Sequence, residues 1–143
     1  MSRMSNASNA ARNRSNYLLA KDAFNRGDLD ACLSYYAAGH HLRSRDVPAG
    51  REHIRAFLES MRATWTDLTI VAEHVVADGA WVMGRSMATA LHDKPAMGIA
   101  PTHRRIETTF WDLHRFTDDG VIAESWNLVD GLAIMRQLSP SPA

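Results

Sequence analysis

The chain has 143 residues, of which 45% are hydrophobic and 22% are charged, and these values are typical of one soluble globular domain. Its 16 Lys and Arg residues balance 16 Asp and Glu residues, which argues against nucleic acid or a membrane surface as a partner. The single cysteine, Cys32, excludes an intramolecular disulfide and is typical of a reducing compartment, so we expect a cytoplasmic protein.

The N-terminal part is predicted to be a short tail followed by two helices. Residues 1–15 are rich in Ser and Asn and carry no apolar face, which favours a disordered tail. Apolar residues at helical spacing then predict a helix over 17–26, which Gly27 ends. Asp28 can cap a second short helix that runs to about Tyr36.

A short extended segment and a longer helix are predicted next. Residues 40–44 are expected to be extended, and a loop containing Pro48 and Gly50 follows them. After this loop, five large apolar residues recur at the spacing of one helical face: Ile54, Phe57, Leu58, Met61 and Trp65. This stripe predicts an amphipathic helix over 51–65.

Four strands in two hairpins are predicted after this helix, because the spacing of the apolar residues changes to that of strands. The first hairpin joins 68–77 to 80–91 through an Asp-Gly dipeptide, which is typical of a type I′ turn. The second hairpin joins 104–116 to 121–129 through a four-residue turn, and a loop rich in Pro and Gly separates the two hairpins.

The order of these elements predicts one α+β domain over 16–138, with 132–138 as a last helical turn and 139–143 as a tail. Helices come first and antiparallel strands later, so the helices are expected to pack on one face of a strongly curved, mainly antiparallel sheet. Such an arrangement leaves a conical pocket between helices and sheet, where small ligands bind.

The turn of the last hairpin predicts which side chains share a face of the sheet. A four-residue turn at 117–120 sets Phe116 opposite Val121. The same register pairs Asp112 with Ser125 and Phe110 with Asn127. The mixed apolar and polar face then contains Phe110, Asp112, His114, Ser125 and Asn127.

The opposite face of this hairpin is expected to form a subunit interface. It contains Trp111, Leu113 and Trp126, which would leave a large apolar patch exposed on a monomer. We therefore expect a homodimer through the outer face of the sheet.

Four segments carry a resemblance to a known family: AFNRGD at 23–28, GAWV at 79–82, GIAPTHRR at 98–105 and DDGVIAESWNLVDGLAIMRQL at 118–138. Over roughly residues 15 to 138 the chain resembles the SnoaL-like polyketide cyclases, a branch of the NTF2-like superfamily. The resemblance implies the NTF2-like (cystatin-like) cone. It also implies a cyclase without metal or cofactor, in which an aspartate on the last strand is the general acid/base and a histidine on the preceding strand assists.

Two positions depart from the pattern of the family. Matched residue by residue, the acid/base position falls on Asn127 and the assisting histidine falls on Asp112. An amide cannot take up a proton at neutral pH, so Asn127 can only form hydrogen bonds that orient a carbonyl or an enolate. Asp112 is the substitute carboxylate, and burial among neighbours such as Phe110 is expected to raise its pKa towards a useful range.

The remaining candidate residues are expected around the same pocket. His114 shares the face of Asp112 and can tune that group or relay protons. His92 ends a strand near the loop over the mouth, where the cyclases also tend to carry a histidine. His40 and His41 are adjacent, so on a strand they point to opposite faces. The side chains expected to contact the substrate are Phe110, Ser125, His41 and Tyr36.

No set of Cys, His, Asp and Glu residues has the spacing of a metal site, and no glycine-rich phosphate loop follows a strand. We therefore expect neither a metal nor an organic cofactor. The first hypothesis is a cofactor-independent cyclase or isomerase that acts on an apolar, polyketide-like small molecule. An epoxide-opening hydrolase or cyclase, as in the limonene epoxide hydrolases of the same fold, and a non-catalytic ligand-binding protein stay open. The lack of an aspartate at position 127 weighs against the former.

Overall fold

The computed structural model describes residues 5–139. The helices are α1 (Asn6–Asn25), α2 (Leu29–Leu33), α3 (Arg51–Thr64) and α4 (Gly131–Leu138). The strands are β1 (Tyr36–Leu42), β2 (Thr66–Asp78), β3 (Trp81–Leu91), β4 (Arg105–Phe116) and β5 (Ile122–Val129). Within this part of the chain, no helix combines the length and the apolar character needed to cross a membrane.

The five strands form one sheet in the order β1-β5-β4-β3-β2, and this confirms the predicted α+β fold. β1 runs parallel to β5, whereas the other neighbouring strands are antiparallel. β2 and β3 are long, and an irregularity in their pairing between Ala72 and His74 adds to the curvature of the sheet. The helices pack on the concave face, where their buried apolar residues, including Tyr17, Phe24, Ile54 and Leu58, meet those of the strands.

Helix α1 begins eleven residues earlier than the sequence predicts, so the predicted tail is wrong from Asn6 to residue 15. The first half of this helix is held by polar contacts. Asn13 is 1% exposed and donates a hydrogen bond to the Gly79 carbonyl oxygen at 2.9 Å, and Asn16 donates one to the Gly120 carbonyl oxygen at 2.8 Å. The helix thereby joins the turns of both hairpins. Residues 1–4 and 140–143 lie outside the described residues.

Two local predictions need small corrections. The second helix ends at Leu33, and β1 covers Tyr36–Leu42 where the sequence predicts an extended segment only from residue 40. The loop between β2 and β3 is Gly79-Ala80, with a positive φ at Gly79 (56°) and not at Ala80. This is the sign pattern of a type II′ turn, so the predicted type I′ turn is wrong.

The register of the last hairpin differs from the prediction by two residues. The loop has three residues, 118–120, because Thr117 N–H donates to the Val121 carbonyl oxygen at 2.8 Å. An extra residue in β5, at Ala123, then shifts the pairing between Phe116 and Arg115. Asp112 consequently lies opposite Asn127, and His114 lies opposite Ser125. An even shift keeps side chains on the same face, so the predicted set still shares one face.

Candidate active site

The concave face of the sheet and helices α3 and α4 enclose a cavity of about 420 Å³, which we call the outer chamber. Its walls are mainly apolar side chains, including Phe57, Met61, Trp65, Ile70, Ile106 and Phe110. At its rim lie Ser44, Arg45 and Asn127. A space of this volume and character fits a drug-sized, largely apolar molecule.

A second cavity of about 50 Å³, the inner chamber, lies between α1 and the sheet. It shares Phe57, Met61, Ile70, Phe110 and Asn127 with the outer chamber. In addition, the inner chamber is lined by the polar groups of Tyr17, Lys21, Asp112 and His114. The two chambers therefore provide an apolar volume with a small polar recess beside it.

Asp112 is the central charged group of the inner chamber. It is 6% exposed, and its Oδ1 accepts a hydrogen bond from the Tyr17 hydroxyl at 2.5 Å. Its Oδ2 accepts one from Lys21 Nζ at 3.1 Å and lies 3.4 Å from His114 Nε2. A buried carboxylate needs such partners because desolvation of an unpaired charge is costly. A carboxylate has about four lone-pair positions, so the three contacts leave room for one more partner.

The predicted direction of the Asp112 pKa shift is wrong. Burial alone raises the pKa, as expected, but the Lys21 ammonium and the hydrogen bonds from His114 and Tyr17 outweigh it and lower the pKa to about 2. Asp112 is therefore ionised at physiological pH. The apolar neighbours on the sheet are visible in the strand pattern, whereas the cation that lowers the pKa comes from α1, far away in the sequence.

Tyr17 reaches Asp112 because β3 carries a glycine opposite the aspartate. Gly84 pairs with Asp112, and a Cβ atom at Gly84 would overlap the Tyr17 hydroxyl. Burial, together with the charge of Asp112, raises the pKa of the Tyr17 hydroxyl well above its usual value, so this group stays protonated. It can therefore serve as a permanent hydrogen-bond donor to the carboxylate.

Lys21 is a site residue that the sequence analysis missed. It lies one helical turn after Tyr17 on α1, and its Nζ also donates to Ser86 Oγ at 3.1 Å. The ammonium lies 4.8 Å from the Tyr17 ring centroid and 5.6 Å from that of Phe110. Asp112 Oδ2 and Ser86 Oγ accept two of the three ammonium hydrogens, so the third can bind a ligand in the inner chamber, which Lys21 lines. A lysine within the apolar stripe of Tyr17 and Phe24 is the signal that could have identified it.

His114 continues the polar cluster into the core. Its Nδ1 lies 2.6 Å from Ser125 Oγ, which in turn lies 2.8 Å from His40 Nε2. Asp112, His114 and Ser125 have the composition of a catalytic triad. Ser125, however, is 0% exposed and lines neither chamber, so its hydroxyl is not available for attack on a ligand.

Asn127 lies opposite Asp112 and lines both chambers. Its Oδ1 accepts a hydrogen bond from Ser44 Oγ at 2.7 Å, which orients the amide at the junction of the chambers. With Oδ1 engaged, the amide NH₂ group remains as a donor for a ligand oxygen. Asn127 thus lies on the predicted face, but it is directly opposite Asp112, where the predicted register places Ser125.

The other predicted site residues divide into two groups. Phe110 and Tyr36 line the inner chamber. His41, His92 and Ser125 line neither chamber, which differs from the prediction. His41 Nε2 lies 3.0 Å from the Val47 carbonyl oxygen, and His92 is buried with its Nδ1 accepting from the Thr102 N–H at 3.1 Å. Because His40 and not His41 points inward on β1, the inward histidine was assigned to the wrong neighbour.

Metal ligands are not grouped in the part of the chain that the structure describes. Among residues 5–139, no cluster of three or more His, Cys, Asp and Glu side chains could hold a metal ion. The polar cluster around Asp112 contains a single carboxylate and an ammonium, a composition that suits proton transfer and hydrogen bonding to an organic ligand.

One solved structure is similar to the chain in both fold and sequence. IdmH from Streptomyces antibioticus, described as a candidate polyketide cyclase, is 29% identical with a TM-score of 0.77. The match covers 88% of this chain and 97% of IdmH. No curated protein matches the chain significantly in sequence.

Two further structures share the fold at lower identity. A SnoaL-like polyketide cyclase from Agrobacterium tumefaciens is 24% identical, with a TM-score of 0.78 and coverage of 89% of this chain and 98% of that chain. AclR from Streptomyces galilaeus, described as a candidate hydroxylase, is 23% identical, with a TM-score of 0.81 and coverage of 93% and 99%. These two likenesses concern the fold alone. Residues 15–138 match the SnoaL-like polyketide cyclase family over most of the chain, and the chain belongs to this family.

Proposed function

We propose that the protein is a cofactor-independent cyclase that closes a ring in an apolar, polyketide-like small molecule by acid–base chemistry. The observation that supports this most is the position of Asp112, a carboxylate 6% exposed, at the polar recess of an apolar cavity of about 420 Å³. Membership of the SnoaL-like polyketide cyclase family favours the same class of reaction. The apolar body of the substrate would occupy the outer chamber, and a carbonyl group would enter the inner chamber.

The pairing of Asp112 with Lys21 suits a proton transfer from carbon. As the proton moves to the carboxylate, the negative charge moves from Asp112 to the enolate oxygen of the substrate. If that oxygen takes the third hydrogen of Lys21, the same ammonium compensates the charge before and after the transfer. Little reorganisation is then needed, which is how a fixed charge lowers a barrier. This compensates for the weak basicity that follows from a pKa of about 2 for Asp112.

The proposed reaction is an intramolecular aldol closure. Asp112 removes a proton from a carbon between two carbonyl groups, and the electron pair of the broken C–H bond forms the enolate. The enolate carbon attacks a second carbonyl carbon of the same molecule, which forms the new C–C bond and an alkoxide. The alkoxide then takes the proton back from Asp112, so the carboxylate is regenerated and no oxidant or reductant is consumed.

Asn127 and Tyr17 support these steps in different ways. The Asn127 amide can donate a hydrogen bond to a carbonyl or enolate oxygen at the junction of the chambers. Tyr17 remains bonded to Asp112 Oδ1 and holds the carboxylate in place. A non-catalytic binding protein is the second candidate, because the resemblance to the family implies a carboxylate at the position of Asn127. Binding and turnover measured together separate the two candidates.

Binding and turnover of an anthraquinone that carries a 1,3-dicarbonyl side chain test this function. Trp65 lines the outer chamber, so binding should quench its fluorescence. Ala88→Phe, which fills the same chamber, should weaken binding at least about tenfold because it removes volume from the site. Val71→Phe, on an exposed strand position, is the matched control and should bind as the parent does. Chromatography followed by NMR should detect a cyclised isomer, because the aldol closure leaves the mass unchanged.

Two results would contradict the proposal. Quenching that is the same in Ala88→Phe and the parent would mean that the outer chamber is not the binding site. Binding without any cyclised product, for a series of such side chains, would favour the non-catalytic binding protein.

We also propose that two chains associate through the outer face of the sheet. Trp81, Met83 and Trp111 are 42%, 46% and 39% exposed on this face, and the Trp81 and Trp126 rings lie 6.0 Å apart. A shallow apolar depression of about 540 Å³ lies between Met83, Trp111 and Leu128. A contiguous apolar surface of this kind is typical of a subunit interface.

Light scattering after size exclusion should give a mass of about twice 15.9 kDa at micromolar concentration. Met83→Glu should shift this mass towards one chain, because it places a charge in the apolar interface. Leu19→Glu, at a position 46% exposed on helix α1 and away from the outer face of the sheet, is the control and should leave the dimer intact. A single-chain mass for the parent protein would exclude this interface.

A further inference from the structure

The hydrogen bonds of the inner chamber extend beyond His114 to two fully buried residues. Ser125 Oγ lies 2.6 Å from His114 Nδ1 and 2.8 Å from His40 Nε2. Ser125 and His40 are both 0% exposed and line neither chamber. His40 Nδ1 has no hydrogen-bond partner among residues 5–139. A linear chain of groups therefore connects the Asp112 carboxylate with an unpaired ring nitrogen in the core.

The positions of the hydrogens along this series of hydrogen bonds follow from the charge of the Asp112 carboxylate. An ionised carboxylate can only accept, so the 3.4 Å contact of His114 Nε2 with Asp112 Oδ2 is favourable only if Nε2 carries the hydrogen. In a neutral ring, Nδ1 is then an acceptor, and Ser125 must donate its only hydrogen to it. Ser125 Oγ in turn accepts from His40 Nε2–H, which leaves a lone pair on His40 Nδ1.

The opposite arrangement, with the hydrogen on Nδ1 of both His114 and His40, is less favourable at both ends of this series of hydrogen bonds. It would turn a lone pair of His114 towards the Asp112 carboxylate. It would also leave an N–H donor of His40 buried without a partner, and orphaned buried donors are rarer than under-satisfied acceptors. The chain of hydrogen bonds thus has one preferred direction.

We propose that Ser125 and His40 are positioning residues that hold His114 in its Nε2–H tautomer, so that a hydrogen-bond donor always faces Asp112. This inference rests on the proposed function, because it takes Asp112 as the reacting carboxylate. The residues act through His114 and touch no substrate. They form one unit with it, as the orienting partner of a catalytic or metal-binding histidine does.

The surroundings of His40 favour a neutral ring. The preferred direction of the hydrogen bonds requires this, because a neutral His40 keeps its lone pair on Nδ1. Burial lowers the pKa of His40 to about 4, and His114 and His41 add to this effect while Glu124 opposes it. The edge of the Tyr36 ring packs against His40, with the ring centroids 4.9 Å apart.

Two tyrosine rings and one lysine surround His114 and its contact with Asp112. Tyr17 and Tyr36 pack on its ring with centroid distances of 5.5 and 6.3 Å. Lys21 reaches the same Asp112 Oδ2 that His114 contacts. Among residues 5–139, the charged groups that act on these histidines include Lys21, Asp112 and Glu124, and Glu124 is itself paired with Arg43 and Arg115.

Nitrogen-15 NMR of the histidine rings tests the tautomer without any substrate. In the parent protein at neutral pH, His114 and His40 should both carry hydrogen on Nε2 and a lone pair on Nδ1. Hydrogen on Nδ1 of either ring would overturn the proposal. Because the measurement needs no turnover, its result is independent of whether the protein proves to be a cyclase.

The pH profile of the cyclase reaction tests the consequence for Asp112. Ser125→Ala removes the hydroxyl that holds His114, so Asp112 should become easier to protonate and the acid limb of kcat/KM should move up by about one pH unit. Ser125→Thr keeps a hydroxyl and should restore the profile. A purely structural role would lower stability and leave the acid limb unmoved in Ser125→Ala, which would overturn the proposal. If Ser125→Thr does not fold, His40→Gln serves as the conservative variant: it keeps an N–H donor for Ser125, so the acid limb should stay where it is in the parent protein.

Discussion

Asp112→Asn should lower turnover by about two to four orders of magnitude, because an amide cannot accept the proton that the proposed reaction removes from carbon. The side chain keeps its shape and can still accept a hydrogen bond from Tyr17. Binding of the substrate should change much less than turnover, since the outer chamber stays intact. Single-turnover kinetics with the dicarbonyl anthraquinone measure the chemical step directly.

The control for this experiment is Asp119→Asn, an exposed position in the turn between β4 and β5 that should keep full activity. Asp112→Asn leaves the Lys21 ammonium without its carboxylate, so circular dichroism must show that the variant is folded. If it is not, the double variant Lys21→Met, Asp112→Asn removes both charges and serves in its place. Full activity of either folded variant would exclude Asp112 as the base.

Asn127 provides a graded comparison within the same experiment. Asn127→Ala should cost about one to three orders of magnitude, because it removes a hydrogen bond and not a proton acceptor. Asn127→Asp introduces the carboxylate that the resemblance to the family implies at this position, and it is expected to raise activity if it can replace Asp112. It should then also rescue turnover in the Asp112→Asn background.

The faces of the sheet could be predicted from the sequence even though the register could not. The extra residue at Ala123 and the three-residue turn that ends at Gly120 shift β5 by two positions in total. Because strand side chains alternate with a period of two, the shift leaves Asn127 on the face of Asp112. A bulge has no reliable sequence signal, whereas the alternation of side chains does.

The sequence alone could not show that Lys21 pairs with Asp112. Lys21 and Asp112 are 91 residues apart, and they meet only because α1 crosses the sheet at Gly84. The first half of α1 was missed for a related reason. Its contacts are polar and long-range, such as the bond from Asn13 to Gly79, so no local periodicity reveals them. Local patterns thus predicted the core-facing elements and not the polar contacts between distant segments.

Lys21→Met should lower the free energy of unfolding by about 3–5 kcal/mol at neutral pH, because it leaves a buried carboxylate without its counter-charge. Methionine has nearly the shape of lysine, so packing against Tyr17 and Phe110 is retained. Urea unfolding followed by circular dichroism measures the effect. Lys94→Met, at an exposed lysine, is the matched control and should change stability by less than about 0.5 kcal/mol.

The pH dependence of this effect has a defined sign. In the parent protein the pKa of Asp112 is lowered to about 2, so its contribution to stability is present above the unfolded pKa of about 4 and is lost as the pH falls towards 2. Without Lys21, burial dominates and should raise the pKa of Asp112 above the unfolded value. The folded variant then binds the extra proton, so it loses stability as the pH rises through that raised pKa.

The difference in unfolding free energy between the parent and Lys21→Met should therefore be largest at neutral pH and should shrink as the pH falls towards about 4. Adding Asp112→Asn to Lys21→Met should recover most of the lost stability, because a neutral pair avoids the desolvation of a lone charge. A deficit that grows as the pH falls, or a double variant no more stable than Lys21→Met, would mean that Lys21 stabilises the fold by packing. In that case the ammonium would not be the counter-charge that holds Asp112 ionised in the inner chamber.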